Sequence, residues 1–176
     1  MQDAIFNLWD NLSHGKSATG NIPLEKPLTK DMKASIKWQG GAMFLGESGS
    51  GHTVVMDGPE SSGGRNIGIR PMEMMLLSVG GCSAFDVVSI LKKSRQKVLD
   101  CQAFLEAERA DAIPAVFEKI HVHFVVTGID LDEAKVKRAI ELSAEKYCSA
   151  SIMMKKAGVG MTHDFEIIPA RSLEND

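Results

Sequence analysis

Hydrophobic and polar residues alternate in several stretches of the chain, as they do in strands with one buried face. In the first stretch, residues 32–39, the even-numbered residues are apolar and the odd-numbered ones are polar. Gly40-Gly41 predicts a turn into residues 43–45, and a third strand is predicted over residues 52–57. The pattern therefore predicts an antiparallel meander of three strands.

Two longer strands are predicted over residues 98–109 and 117–127, around a turn at residues 111–114. One face of the first strand is predicted to carry Leu99, Cys101, Ala103, Leu105 and Ala107. One face of the second is predicted to carry Ile120, Val122, Phe124 and Val126, with His121 and His123 opposite. Cys101 is accordingly interpreted as a core residue, and a last strand is predicted over residues 159–168.

The longest apolar run, residues 74–91, predicts a helix that Pro71 opens at a favoured first-turn position. A second helix is predicted from a capping box of Asp130 and Glu133 through about Lys146, followed by a further turn or two to Lys156. This order of elements predicts an α+β fold, with an antiparallel sheet and helices on one side of it.

The apolar run is also long enough to be tested as a membrane span. It contains Asp86, three serines and a glycine pair, and no second such run accompanies it. We therefore favour the central helix of a globular core and expect no membrane.

Three segments are predicted along the chain. Residues 1–31 form an N-terminal extension, with a short amphipathic helix and a linker rich in Gly, Ser and Pro. Residues 32–170 form a single domain, and residues 171–176 form a C-terminal tail.

The composition and charge of the chain argue against some classes of function. A net charge of −3 and a pI near 6.0 give no electrostatic footprint for nucleic acid. The N-terminus lacks the pattern of a secretory signal, so the three cysteines are interpreted as thiols of a cytoplasmic protein.

Cys82 is the first candidate for chemistry, because Gly80-Gly81 precedes it inside the apolar run. If a helix restarts at the glycine pair, Cys82 falls in a first turn, where the helix dipole favours the thiolate. Cys148 lies at a second predicted helix boundary. The two thiols, if they meet, form a peroxidatic and resolving pair; the alternative is two packing cysteines that never meet.

Three other groups are candidate site residues. Glu73 is a candidate to orient a catalytic partner, although about two and a half helical turns separate it from Cys82. Asp86 is interpreted mainly as a polar contact with a partner element. His121-x-His123 is a possible metal half-site, but a solvated sheet face is favoured, and neither metal nor cofactor is expected.

Taken in order from Met32 onward, these pieces resemble the OsmC/Ohr family of small thiol proteins, in its YhfA-like branch. The matching segments are Lys37–Trp38, Phe44–Ser48, Met56–Gly58, Pro71–Met74, Gly80–Ala84, Asp86–Ile90, Phe124–Gly128 and Leu142–Ser149. The Pro-x-Glu…Gly-Cys segment joined to a downstream cysteine at a helix end is specific to the family.

The resemblance implies an intertwined homodimer, in which sheets wrap long central helices and both active sites form at the subunit interface. It also implies that Cys82 is the peroxidatic cysteine, that Cys148 is the resolving one and that Glu73 holds an arginine. The expected activity is reduction of organic hydroperoxides with a thiol reductant, in defence against oxidative stress.

Two departures from the peroxidase members bear on that activity. Residues 52–57 hold no arginine where those members carry one to stabilise the thiolate, so Arg65 and Arg70 are candidate surrogates. Ser149 follows the second cysteine where proline is usual. The alternative function is a non-enzymatic protein that holds a small apolar or thiol-bearing ligand at the dimer interface. Its pocket would be lined by Met72, Met74, Met75, Met153 and Met154.

Overall fold

The computed structural model describes residues 32–170. The predicted extension, with its short helix, and the predicted C-terminal tail lie outside the described residues.

The described chain contains six strands and three α-helices. The strands are β1 (Ala34–Trp38), β2 (Phe44–Ser48), β3 (Thr53–Met56), β4 (Lys97–Arg109), β5 (Phe117–Ile129) and β6 (Gly160–Pro169). The α-helices are α1 (Pro71–Lys93), α2 (Glu133–Leu142) and α3 (Ser149–Lys156). A 3-10 turn at Glu60–Ser62 and a π-helical turn at Ser143–Tyr147 lie between them. This content confirms the α+β class.

The first sheet is the predicted meander, in the order β1-β2-β3 with both pairs antiparallel. Trp38 lies opposite Phe44 at the β1–β2 turn. Among the described residues, this sheet makes no extensive contact with the helices or with the second sheet. Several of its apolar side chains are therefore exposed, namely Ile36, Trp38, Phe44, Leu45 and Val55.

The second sheet has the order β4-β5-β6. The β4–β5 pair is an antiparallel hairpin, as predicted, but β6 runs parallel to β5. The prediction of an antiparallel sheet is therefore wrong for this pair. Strand β6 is parallel to β5 because the connection between them is a long crossover of α2, the π-helical turn and α3. This crossover returns the chain to the beginning of β5, where β6 starts.

One apolar residue of β4 lies on the face opposite to the predicted one. The β4–β5 register shifts between Val98 and Asp100, and the extra residue of this irregularity leaves Leu99 exposed. Cys101, Ala103, Leu105 and Ala107 keep the predicted face and pack against the core.

The core lies between the second sheet and the helices. Its buried residues are Val87, Leu91, Phe117, Ile120, Val122, Phe124, Val126, Val136, Ala139, Ile140 and Val159. The predicted inner face of β5 is thus confirmed. Helix α2 begins two residues later than predicted. Its N-cap is Asp132, whose carboxylate accepts the N–H groups of Ala134 and Lys135, whereas Asp130 has a positive φ of 48°.

Helix α1 organises this core. It packs against β4, α2 and α3. Among the described residues it is also the one helix long and apolar enough to cross a membrane. Such a helix is weak support for a membrane span, because the core helix of a globular protein passes the same test.

Candidate active site

Helix α1 runs without interruption through Gly80 and Gly81, so the restart considered from the sequence is wrong. Gly80 is needed for close packing: a Cβ built on it would lie 2.6 Å from Cδ1 of Leu105 on β4. Cys82 is consequently a mid-helix residue, and the helix dipole gives its thiol no first-turn stabilisation.

The helix boundary predicted at Cys148 is confirmed. The π-helical turn ends with a hydrogen bond of 2.9 Å from the Cys148 N–H to the Ser143 carbonyl, five residues earlier. The extra residue in this turn makes Cys148 the N-cap of α3. The Cys148 side chain is fully buried, at 0% exposure.

This arrangement brings the two predicted cysteines together. The sulfurs of Cys82 and Cys148 and a carboxylate oxygen of Asp86 all lie within 4.8 Å of one another. Asp86 follows Cys82 by four residues, so one turn of α1 places both side chains on the same helix face. That spacing was visible in the sequence, and it is the signal that could have identified Asp86 as a site residue.

Two serines surround the Cys148 sulfur, and sequence reasoning missed both. The hydroxyls of Ser83 and Ser151 each donate to it at 3.2 Å, and the Ser151 N–H donates at 3.4 Å. The two hydroxyl oxygens lie 3.1 Å apart, and Ser143 donates to the Ser83 carbonyl at 3.2 Å. These contacts fix the sulfur in one position between α1 and α3.

The pKa values of the two thiols shift in opposite directions. Burial by itself would raise the pKa of Cys148, but hydrogen bonds from Cys82, Ser151 and Ser83 together lower it. The pKa of Cys82 is raised by burial first and then by its hydrogen bond with Cys148. The thiolate-stabilising environment expected at Cys82 is therefore found at Cys148.

Asp86 is the third group of the cluster. Its Oδ2 atom is buried and has no hydrogen-bond partner among the described residues. Burial raises the pKa of this carboxyl group. The two sulfurs and the carboxylate form a donor set that could hold a cation.

Glu73 and Arg70 lie together at the start of α1. The Arg70 guanidinium donates to Glu73 Oε1 at 2.9 Å, and the Arg70 N–H donates to Oε2 at 3.0 Å. Backbone and side-chain hydrogen bonds from Arg70 lower the pKa of Glu73. Nine residues of continuous helix separate Glu73 from Cys82, a rise of about 13 Å. Within one protomer this ion pair therefore lies far from the thiols.

The second candidate arginine is also held elsewhere. Arg65 lies in the loop before α1, where its side chain donates to the Met43 sulfur at 3.2 Å and its N–H donates to Asp57 at 2.9 Å. Strand β3 itself, Thr53–Met56, contains no arginine.

The remaining candidates stay outside the thiol cluster. His121 and His123 lie on the outer face of β5, and Asp164 on β6 accepts from His123 at 2.6 Å. Burial raises the pKa of Cys101, on the inner face of β4, to about 11. Of the five methionines proposed to line a pocket, Met72 and Met154 pack against the core, Met74 is half-buried, and Met75 and Met153 are exposed.

Known proteins are similar to this chain in sequence and in fold. The family model described as OsmC-like protein matches residues 62–164. Protein YhfA of Escherichia coli is 52% identical over 139 residues, which cover 79% of this chain and 100% of that protein.

Solved structures extend the similarity. A hypothetical protein from Aquifex aeolicus is 30% identical, with a TM-score of 0.71 over 81% of this chain and 100% of that one. An organic hydroperoxide resistance protein OsmC from Legionella pneumophila is 15% identical and has a TM-score of 0.62. That match covers 80% of this chain and 99% of the Legionella chain, and at this identity it shows a shared fold. The chain therefore belongs to the OsmC-like family.

Proposed function

We propose that this chain is a cytoplasmic dithiol redox protein that reduces organic hydroperoxides through Cys82 and Cys148. The observation that carries the proposal is the approach of the two sulfurs to within 4.8 Å, from elements 66 residues apart in sequence. Membership of the OsmC-like family supports a redox or peroxide-resistance role. One structural relative is described as an organic hydroperoxide resistance protein.

The first step uses Cys82, because its side chain is partly exposed whereas Cys148 is buried. The Cys82 thiolate attacks the terminal peroxide oxygen, and the O–O bond breaks. The alkoxide leaves with a proton from solvent as an alcohol, and Cys82 becomes a sulfenic acid.

The second step uses the neighbouring thiol. The Cys148 sulfur attacks the Cys82 sulfur, an S–S bond forms, and the hydroxyl group leaves with a proton as water. Two thiols of an external reductant then reduce the disulfide and become a disulfide themselves. The hydrogen bonds that fix the Cys148 sulfur favour this step by holding the attacking atom in place.

A positive charge near Cys82 would offset the burial that raises the pKa of its thiol. We propose that Arg70, held by Glu73, supplies this charge from a second protomer, with Arg65 as the alternative source. An intertwined homodimer with its sites at the subunit interface allows this, although about 13 Å of helix separates the groups within one chain. The exposed apolar side chains of the first sheet and α1 support such a dimer.

The test is peroxide consumption by the reduced full-length chain with a dithiol reductant. We expect faster consumption of cumene hydroperoxide than of hydrogen peroxide, no turnover with Cys82→Ser, and a single turnover with Cys148→Ser. Cys101→Ser, the matched control, retains wild-type rates because Cys101 lies on β4 outside the cluster. Absence of turnover, with Cys82 alkylated only after unfolding, would contradict the proposal and favour a non-enzymatic binding protein.

A further inference from the structure

We propose that the reduced chain binds one thiophilic divalent cation, with Zn²⁺ as the probe, through Cys82, Cys148 and Asp86. These three residues are termed the cation site below. The inference concerns the same thiols as the proposed function, but it does not depend on whether they reduce peroxides.

The three potential ligand atoms of the cation site already lie close together. One turn of α1 presents the Cys82 sulfur and an Asp86 oxygen side by side, and the α3 N-cap adds the Cys148 sulfur, all within 4.8 Å. Zn–S bonds of about 2.3 Å at a tetrahedral ion place two bound sulfurs about 3.8 Å apart. An ion between the three groups therefore requires side-chain shifts of no more than about 1 Å.

Asp86 provides an independent reason to expect a ligand. Its Oδ2 is buried and accepts no hydrogen bond from the described residues. Buried polar atoms nearly always have a partner, and a carboxylate without one is costly. A cation between the carboxylate and the two sulfurs would supply that partner.

The surroundings of Cys148 match those of a metal-bound thiolate. Hydroxyl and backbone donors from Ser83 and Ser151 fix the sulfur without blocking the side that faces Cys82. Such outer hydrogen bonds orient metal ligands and tune their basicity. Cys82 is partly exposed and gives the ion an entry path, whereas Cys148 is buried.

The donor set also selects the ion. Two thiolates favour zinc over magnesium or calcium, which prefer oxygen ligands. Three protein ligands leave the fourth tetrahedral position open for water or a substrate atom. Binding forms two Zn–S bonds and one Zn–O bond and releases the protons of both thiols, with no electron transfer. A Cys82–Cys148 disulfide removes both sulfur ligands, so only the reduced chain binds the ion.

The experiment titrates the reduced, metal-free, full-length chain with Zn²⁺ by calorimetry, and with Co²⁺ to observe a thiolate-to-cobalt charge-transfer band. We expect one ion per chain. Asp86→Asn, Cys82→Ser and Cys148→Ser should each weaken binding by about 10-fold or more. Cys101→Ser and His123→Ala should bind as the wild type does, because neither residue belongs to the cation site.

Circular dichroism of each variant separates ligand loss from misfolding. Undiminished Zn²⁺ binding by well-folded Asp86→Asn and Cys148→Ser chains would overturn the proposal. Equal binding by the oxidised chain would overturn it too, as would a Co²⁺ complex without the charge-transfer band. Peroxide consumption is measured separately, so a failure of the proposed function does not decide this result.

Discussion

Asp57 is a buried carboxylate, 3% exposed, that organises the loop between β3 and α1. Its Oδ1 accepts the Gly58 N–H at 2.8 Å, and its Oδ2 accepts the N–H groups of Arg65 at 2.9 Å and Ile67 at 3.3 Å. The hydrogen bond from Arg65 is the largest of the causes that lower the pKa of Asp57. The conformation of the loop that carries both candidate arginines therefore depends on this ionised side chain.

We predict that Asp57→Asn destabilises the chain at neutral pH and that the loss shrinks in acid. The amide replaces one acceptor oxygen with a donor that faces backbone N–H groups. The folded-state pKa of Asp57 lies below the unfolded value of about 3.9. Its stabilisation is therefore complete above that value and is lost as the pH falls through the folded-state pKa. Urea unfolding at a series of pH values from neutral to acid measures the difference in free energy of unfolding between the wild type and Asp57→Asn.

Asp111→Asn is the control, because it removes the same charge from an exposed position at the β4–β5 turn. The free energy of unfolding of Asp111→Asn should stay close to that of the wild type at every pH. A wild-type advantage over Asp57→Asn that persists unchanged well below pH 4, or that grows there, would contradict the assigned role of the carboxylate.

At the residue scale, the residues alone left open whether Cys82 and Cys148 meet, and only the resemblance to the OsmC/Ohr family implied that they pair. Neither source predicted how the pKa values of the two thiols differ. Their electrostatic surroundings differ because α1 continues through the glycine pair before Cys82, whereas α3 begins at Cys148 after the π-helical turn. Hydrophobic periodicity does not register the extra residue of that turn, because the turn lies within a polar segment. Ser83 and Ser151 were missed because a serine near a cysteine in sequence does not by itself indicate a contact, and only the packing of α1 against α3 brings both hydroxyls to the Cys148 sulfur.

At the element scale, α1 shows why a glycine pair need not interrupt a helix. A Cβ at Gly80 would overlap Leu105, whereas a Cβ at Gly81 would meet nothing within 4 Å. The helix therefore accommodates the two glycines for different reasons. Gly80 permits the close approach of α1 to β4, and Gly81 lies on an open face of the protomer. The sequence alone does not distinguish the packed position of Gly80 from the open position of Gly81.

This difference gives a stability prediction. At protein concentrations low enough for the chain to be monomeric, Gly81→Ala should raise the free energy of unfolding by about 0.5–1 kcal/mol, because alanine is the better helix former and its Cβ meets nothing within one protomer. The free energy of unfolding of Gly80→Ala should lie about 1–3 kcal/mol below that of Gly81→Ala, because overpacking against Leu105 opposes the gain in helix propensity. Urea unfolding at one protein concentration measures both. Equal effects of the two substitutions would argue against close packing of α1 on β4.

Most elements were predictable because their patterns are local. The meander, the β4–β5 hairpin and α1 follow from alternation and from a long apolar run. The exposed Leu99 and the parallel β6 were not predictable, because a strand irregularity and a crossover direction depend on partners distant in sequence. The inner face of β5 was predicted correctly because its alternation is unbroken from Ile120 to Val126.

At the scale of the whole molecule, one protomer leaves a large apolar surface uncovered. Exposed apolar side chains lie on the first sheet and along α1, and Phe85 is 73% exposed in the middle of that helix. Isolated exposed residues are ordinary, but several large apolar side chains exposed along a core helix, together with an otherwise unpacked sheet, indicate an interaction surface. We infer that a second copy of the chain covers it.

The inferred dimer makes Phe85 a test residue. Sedimentation should show a dimer for the full-length wild type, and Phe85→Glu should weaken dimer affinity by about 30-fold or more, the effect expected of a central interface residue. Phe104→Glu introduces the same change at a phenylalanine that is also exposed, but beside His123 on the outer face of the second sheet. It should therefore remain dimeric. If Phe85→Glu sediments as the wild type does, α1 does not form the interface, and the arginine proposed for Cys82 cannot come from a second protomer packed on this helix.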